Sequence, residues 1–302
     1  MVRGTEKLFS HLTFGALSRF ENIQQQGGAE VSEVDAVNKT RGLPATVDSM
    51  EAELNRLGVA PGTVLLVHSS LSSLGWVCGG SVAVILALER ALGSEGTLVM
   101  PTHTGDMSEP SYWKNPPVPE SWWETIRESM PAYDSNFTPT RGMGAIAESF
   151  RKQEGVIRSS HPSESFAARG PKAAAVVNNH SLDFPTGEQS PLARIYDLDG
   201  AVLLLGVGFL NATSLHLAEY RADYPGKKTK QQGAPITVEG KRRWARFQDF
   251  EWDDSDFNLI GKDFTDSTGL VRSGSVGSGR VLLMPQRKLV DFAQEWIEKN
   301  RC

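Results

Sequence analysis

The chain has 302 residues, 39% hydrophobic and 22% charged, a composition that supports a sizeable buried core and argues against a disordered protein. A net charge of −5 at pH 7 argues against a nucleic-acid binder and favours a cationic small molecule as ligand. Two cysteines, Cys78 and Cys302, offer neither a disulfide framework nor a zinc-ligand set, and no run approaches the length of a membrane span. With no secretory pattern near the first residues, the expectation is a soluble, cytoplasmic protein.

Residues 1–44 read as a flexible N-terminal arm, with a polar stretch at 24–28 and no apolar face at 30–40. Residues 45–302 are expected to form one domain. Thr46 opens a helix whose apolar face carries Met50, Leu54 and Leu57, ended by Gly58. Residues 63–67 form a continuous apolar run, as in a strand buried on both faces. A helix at 81–92 and a strand at 96–101 follow. Helices are predicted near 144–151 and 171–177, and residues 200–206 carry the strongest strand signal. A helix at 211–221 comes next, then a β-hairpin at 235–250 turning at Glu239-Gly240, and a closing helix at 289–299. This alternation predicts an α/β sandwich with a central, largely parallel sheet flanked by helices, plus the hairpin as an insertion.

The most informative segment is 206–219. It puts His216 near the first turn of a helix directly after the most apolar strand, where open α/β sheets collect ligands. Thr213 or Ser214 is the candidate cap. Positive potential at a helix start disfavours the imidazolium, which suits a general base near pH 7. Glu219, three residues on, shares that face and is placed to orient the ring. A buried structural histidine gives the same pattern, and the residues alone leave both readings open.

Other clusters are weaker. His68, Ser69, Ser70, Leu71, Ser72 and Ser73 leave the carboxyl end of a strand, where hydroxyls and backbone N–H groups suit a phosphate; a plain serine-rich turn is the alternative. His68, His103, His161 and His216 lack HxH or HExxH spacing, so no metal is expected. No GxSxG elbow, Walker A or GxGxxG pattern is present. Nothing basic flanks Cys78, which suggests packing. In the acidic run 249–256, a continuing strand would put Asp249, Glu251 and Asp253 on one face, a grouping that needs a cation; a solvated loop is the alternative. Asp106 and Glu109 could join that pocket, with Trp113, Trp122 and Trp123 as its wall or as cover for the sheet.

Six ordered segments resemble the aminoglycoside 3-N-acetyltransferase family, which is distinct from the GNAT acetyltransferases. They are 66–70 (Leu-Val-His-Ser-Ser), 96–101 (Gly-Thr-Leu-Val-Met-Pro), 158–162 (Arg-Ser-Ser-His-Pro), 190–194 (Ser-Pro-Leu-Ala-Arg), 199–208, and 215–219 (Leu-His-Leu-Ala-Glu). The resemblance spans about residues 46–300 and makes 45–302 an acetyltransferase domain. It implies acetyl-CoA as co-substrate, no metal, and the 3-amine of a 2-deoxystreptamine ring as acceptor. It implies His216 as catalytic base with Glu219, and CoA contacts at residues 68–73, Arg158, Gly206 and Val207. It implies acceptor contacts at Asp106, Glu251 and Asp253, with the hairpin near the acceptor. Oxyanion donors are expected among the backbone N–H groups of 69–71 or 206–208. The expected partner is a small polyamine, not nucleic acid or membrane, for a monomer or homodimer. The loop from Pro101 to Pro139 departs from the family in length and in its tryptophans, so the same chemistry on a different amine stands as an alternative, and a non-enzymatic cation binder as a third reading.

Overall fold

The structure is a computed structural model that describes residues 33–40 and 42–301. The polar stretch 24–28, most of the expected arm and Cys302 lie outside the described residues. From the arm, Glu33–Lys39 forms a helix, α1. Thr40 then anchors the chain, its hydroxyl accepting the N–H of Trp76 at 2.7 Å.

Helix α2 (Val47–Leu57) begins at a capping box in which the Thr46 and Ser49 side chains each accept the other's backbone N–H. Such a cap stabilises by about 1 kcal/mol. Then come β1 (Val64–Ser69), α3 (Gly80–Leu92), β2 (Thr97–Pro101), α4 (Trp123–Ser129) and α5 (Gly144–Phe150). Next are β3 (Ile157–Arg158), β4 (Phe166–Arg169), α6 (Ala173–Val177), α7 (Pro191–Asp197), β5 (Ala201–Leu205) and α8 (Ser214–Arg221). The chain closes with β6 (Thr229–Val238), β7 (Lys241–Phe250), α9 (Phe257–Thr268), β8 (Arg272–Val276), β9 (Gly279–Pro285) and α10 (Gln286–Asn300).

Seven strands form one sheet in the order β3-β4-β2-β1-β5-β9-β8. Its centre, β2-β1-β5, is parallel, and β4 and β9 run against their neighbours on either side. Five strands therefore share one direction, in keeping with the expected sandwich. The apolar runs explain the centre. Val64 and Leu66 pack into one core with residues of α6 to α10, while Leu65 and Val67 pack into the other with α2, α3 and α5. Residues of β5 alternate in the same way, so both strands are buried on both faces.

The hairpin of β6 and β7 stands as a separate two-stranded sheet and turns at Glu239-Gly240 as expected. It begins six residues earlier than predicted, because Thr229–Gln232 carries no apolar alternation and is drawn into register by its partner strand. Cys78, expected to pack inside, is exposed. No helix among the described residues is long and apolar enough to cross a membrane. The architecture brings the carboxyl ends of three parallel strands together, and His68, His103 and His216 sit at or just beyond them.

Candidate active site

His216 lies on α8 and is 8% exposed. Its Nδ1 is 3.0 Å from Glu219 Oε2, and its ring stacks on Trp252 and Phe257 at centroid distances of 4.5 and 4.9 Å. Burial works to raise the Glu219 carboxyl, yet hydrogen bonds from His216, Arg301 and the Asp253 N–H hold it below the usual range. Glu219 is therefore a carboxylate, and Nδ1 carries the proton that it accepts. The Nε2 lone pair is left as the basic atom. The expected caps do other work. The Thr213 hydroxyl pairs with His68 Nε2 at 3.4 Å, and the Ser214 hydroxyl accepts from Gln286. Burial, with His216 adding to it, lowers the His68 imidazole to about 3, so His68 is neutral.

On one side of this histidine cluster lies a cleft of about 870 Å³. Ser69, Ser70, Leu71, Ser72 and Val207 line it, joined by Gly142 and Gly144 and by Glu33 and Ala36 of α1. The hydroxyls of Ser70, Ser72 and Ser73 form a chain at 3.2 and 3.0 Å. Gly206 closes the floor with a φ of +74°, and a Cβ there would lie 2.7 Å from Ser73 Cβ, so only glycine lets β5 approach the serine turn.

The other side is aromatic and mixed in charge, with Asp106 among Lys114, Arg141 and Lys230. A depression of about 680 Å³ is lined by Asp106, Tyr112, Trp113, Arg141, Lys230 and Gln232 among others. Arg141 lines this depression and its neighbour Gly142 lines the serine cleft, so the two meet along one segment. Lys230 lies over the rings of Trp252 and Tyr112 at 5.6 and 5.8 Å, which sets it beside the ring that stacks on His216. Glu164 pairs with His103 Nδ1 at 3.0 Å. Burial raises the Glu164 carboxyl to about 8, with Asp249 adding to the rise, and burial lowers His103 to about 3. The pair is thus neutral around pH 7. Asp249 is buried, accepts the Tyr220 hydroxyl and is also raised by burial.

Three expectations need correction. Arg158 does not face the cleft: it is buried, its Nε donates to Thr102 and Ser165 hydroxyls, and its terminal nitrogens donate to the carbonyls of Ser135, Thr138 and Thr102. These bonds use the guanidinium inside the protein and take it out of the expected CoA contacts. Asp249, Glu251 and Asp253 do not share a face, because β7 ends at Phe250; Asp249 turns inward while Glu251 and Asp253 are exposed. The Asp253 carboxylate accepts from Ser255, and Asp106 is half-exposed, 3.5 Å from Arg141. Two expected oxyanion donors are occupied, since Ser70 N–H donates to Leu205 and Gly206 N–H to Arg280.

Glu164 and Arg301 were not anticipated from the sequence. Glu164 lies two residues past the 158–162 segment, where a charged residue between serines gave no periodic signal.

Residues 66–298 match the family described as aminoglycoside 3-N-acetyltransferase. The chain belongs to that family. It is an acetyltransferase, and its relatives agree in length as well as sequence. The aminoglycoside N(3')-acetyltransferase-like protein YokD of Bacillus subtilis is 48% identical over 259 residues, covering 85% of this chain and 94% of YokD. The crystal structure of YokD superposes with a TM-score of 0.85, covering 88% of this chain and 98% of that one. Aminoglycoside N(3)-acetyltransferase VIII of Streptomyces fradiae is 37% identical, covering 86% and 94%. The binary complex of AAC-IIIb with CoASH is 30% identical, with a TM-score of 0.77 and coverage of 86% and 98%.

Proposed function

We propose that this acetyltransferase moves the acetyl group of acetyl-CoA directly to the 3-amine of a 2-deoxystreptamine aminoglycoside, with His216 as general base. The observation that carries the reading is the His216–Glu219 pair at 3.0 Å, on the helix that follows the cleft residues Val207 and Asn211 and stacked on Trp252, over which Lys230 of the aromatic depression lies. The relatives' names support the acceptor class, and the CoASH complex of AAC-IIIb supports the donor.

The attacking amine is neutral when it adds to the thioester carbonyl. As the C–N bond forms, His216 Nε2 takes the proton, and Glu219 stabilises the imidazolium through Nδ1–H. The backbone N–H groups of Leu71 and Val207 remain as oxyanion donors at the cleft. Collapse breaks the C–S bond and releases the CoA thiolate, which the imidazolium reprotonates. The reading assigns Glu164 and Asp249 to the acceptor's other ammonium groups: a cation brought beside them offsets burial and lets both carboxyls ionise.

A thiol-release assay over a panel of amines, with the product position read by NMR, tests this reading. Deoxystreptamine aminoglycosides should turn over at N-3 with intersecting initial-rate lines. Parallel lines would exclude direct transfer. Lys230 favours a second reading, the same chemistry on a different amine, because it places a fixed cation over Trp252 where a polycation would sit. Turnover of a less charged amine, with every aminoglycoside inert, would establish that version.

A further inference from the structure

Glu219 divides its two oxygens between two jobs. Oε2 takes His216 Nδ1, while Oε1 takes the Arg301 guanidinium at 2.6 Å, the Asp253 N–H at 2.9 Å and the Tyr224 hydroxyl at 3.5 Å. Arg301 follows α10 and is itself held from the other side: its Nε and one terminal nitrogen grip Asp256 at 2.8 and 2.7 Å, and it donates to the Asp253 carbonyl at 2.6 Å. Its guanidinium also lies 5.2 Å from the Tyr224 ring. Glu219 is fully buried, so a charge there needs a partner. Arg301 lies three positions beyond the end of the family match.

We infer that Arg301 is a positioning residue for the general base, fixing the rotamer of Glu219 and neutralising part of its charge so that His216 keeps an available lone pair. The inference rests on the proposed role of His216. The charge argument includes every neighbour. His216 faces Glu219 on its own helix, His68 from β1 and His103 beyond β2, with the uncharged rings of Trp252 and Phe257 closing the rest. Glu219 also feels Lys227, which is bound to the carbonyls of Tyr220 and Ala222. The neighbouring imidazoles are neutral, so among these groups Arg301 is the cation in direct contact with Glu219, and Asp256 balances the arginine's remaining charge. Without Arg301, the His216–Glu219 pair holds its next proton more tightly. Where that proton rests on the ring, Nε2 loses its lone pair. The acid limb of the rate profile must then move to higher pH.

The test uses Arg301→Met and Arg301→Gln, the second keeping an amide donor should the first fail to fold, beside His216→Ala and Arg301→Lys. The acid limb of kcat/KM in the uncharged variants should rise by roughly half to one pH unit. At pH 7 kcat should fall about tenfold with the KM for acetyl-CoA unchanged, and Arg301→Lys should restore the limb toward its original position. NMR titration of the His216 ring nitrogens should show the same upward shift. An unmoved limb in folded Arg301→Gln, or lower stability with a normal pH profile, would overturn the inference. A fully active His216→Ala would instead overturn the general-base reading beneath it.

Discussion

The serine cleft and the aromatic wall meet at Arg141 and Gly142 but are made from different material. The cleft is neutral along its floor: Ser69, Ser70, Leu71 and Ser72 follow β1, and Val207 follows β5. Two adjacent parallel strands place that floor, while α1 and the segments 75–80 and 142–145 supply most of the remaining lining. The wall draws Asp106 and Tyr112 from the loop after β2 and Lys230 from the hairpin, with Trp252 under Lys230 and the buried Glu164 and Asp249 within reach of its charge. Asp249 and Lys230 act on the buried Glu164 carboxyl and Lys230 on that of Asp249, while Asp106 stays half-exposed against Arg141.

The comparison can be broken at four points. His216→Ala should lower kcat by about 10²–10⁴-fold while acetyl-CoA still binds in calorimetry, since the cleft does not depend on the ring. Arg158→Met should destabilise the fold by roughly 2–3 kcal/mol in denaturant titration, because it strips the donors from several buried acceptors. It should leave the KM for acetyl-CoA alone; a large rise would return Arg158 to the cleft.

Glu164→Gln should raise the acceptor KM about tenfold, equivalent to about 1.4 kcal/mol, without moving that of acetyl-CoA. Its pH signature is distinctive. Burial raises this carboxyl from the ordinary 4.5 to about 8. Its contribution to stability is therefore complete below about 4.5 and is lost as pH rises through about 8. Melting curves of Glu164→Gln should decline less than wild type across that window, and superimposable declines would deny the shift. Smallest is Ser70→Ala, which interrupts the hydroxyl chain and should raise the acetyl-CoA KM by about three- to fivefold, roughly 0.6–1 kcal/mol. A matching rise in the acceptor KM would show that the two sides are not separable.

The contrast also explains what could be read in advance. The strands were legible because Val64–Val67 and Val202–Leu205 are apolar without interruption, and His216 because it follows such a strand within one helix start. The α9 helix and the β8–β9 pair escaped notice. Arg272–Gly274 and Ser275 carry no apolar pattern, whereas the buried face of α9, Phe257, Ile260, Gly261 and Phe264, does have helical spacing directly after the acidic run. The acidic run misled because alternation was extended past Phe250, where the chain leaves the ladder and Asp249 alone turns inward.

The sequence by itself determined the family, the central strands, the helices that flank them at 47–57, 80–92 and 214–221 and the local Glu219–His216 pairing, all of which depend on residues near one another in the chain. Only the tertiary structure decided that Arg158 is spent on carbonyls, that Glu164 rather than Glu251 stands with His103 and Asp249, and that Arg301 reaches Glu219 across 82 positions. Burial and charge pairing depend on separation in space, and no periodicity along the chain records which distant side chain fills a partner's remaining hydrogen bond.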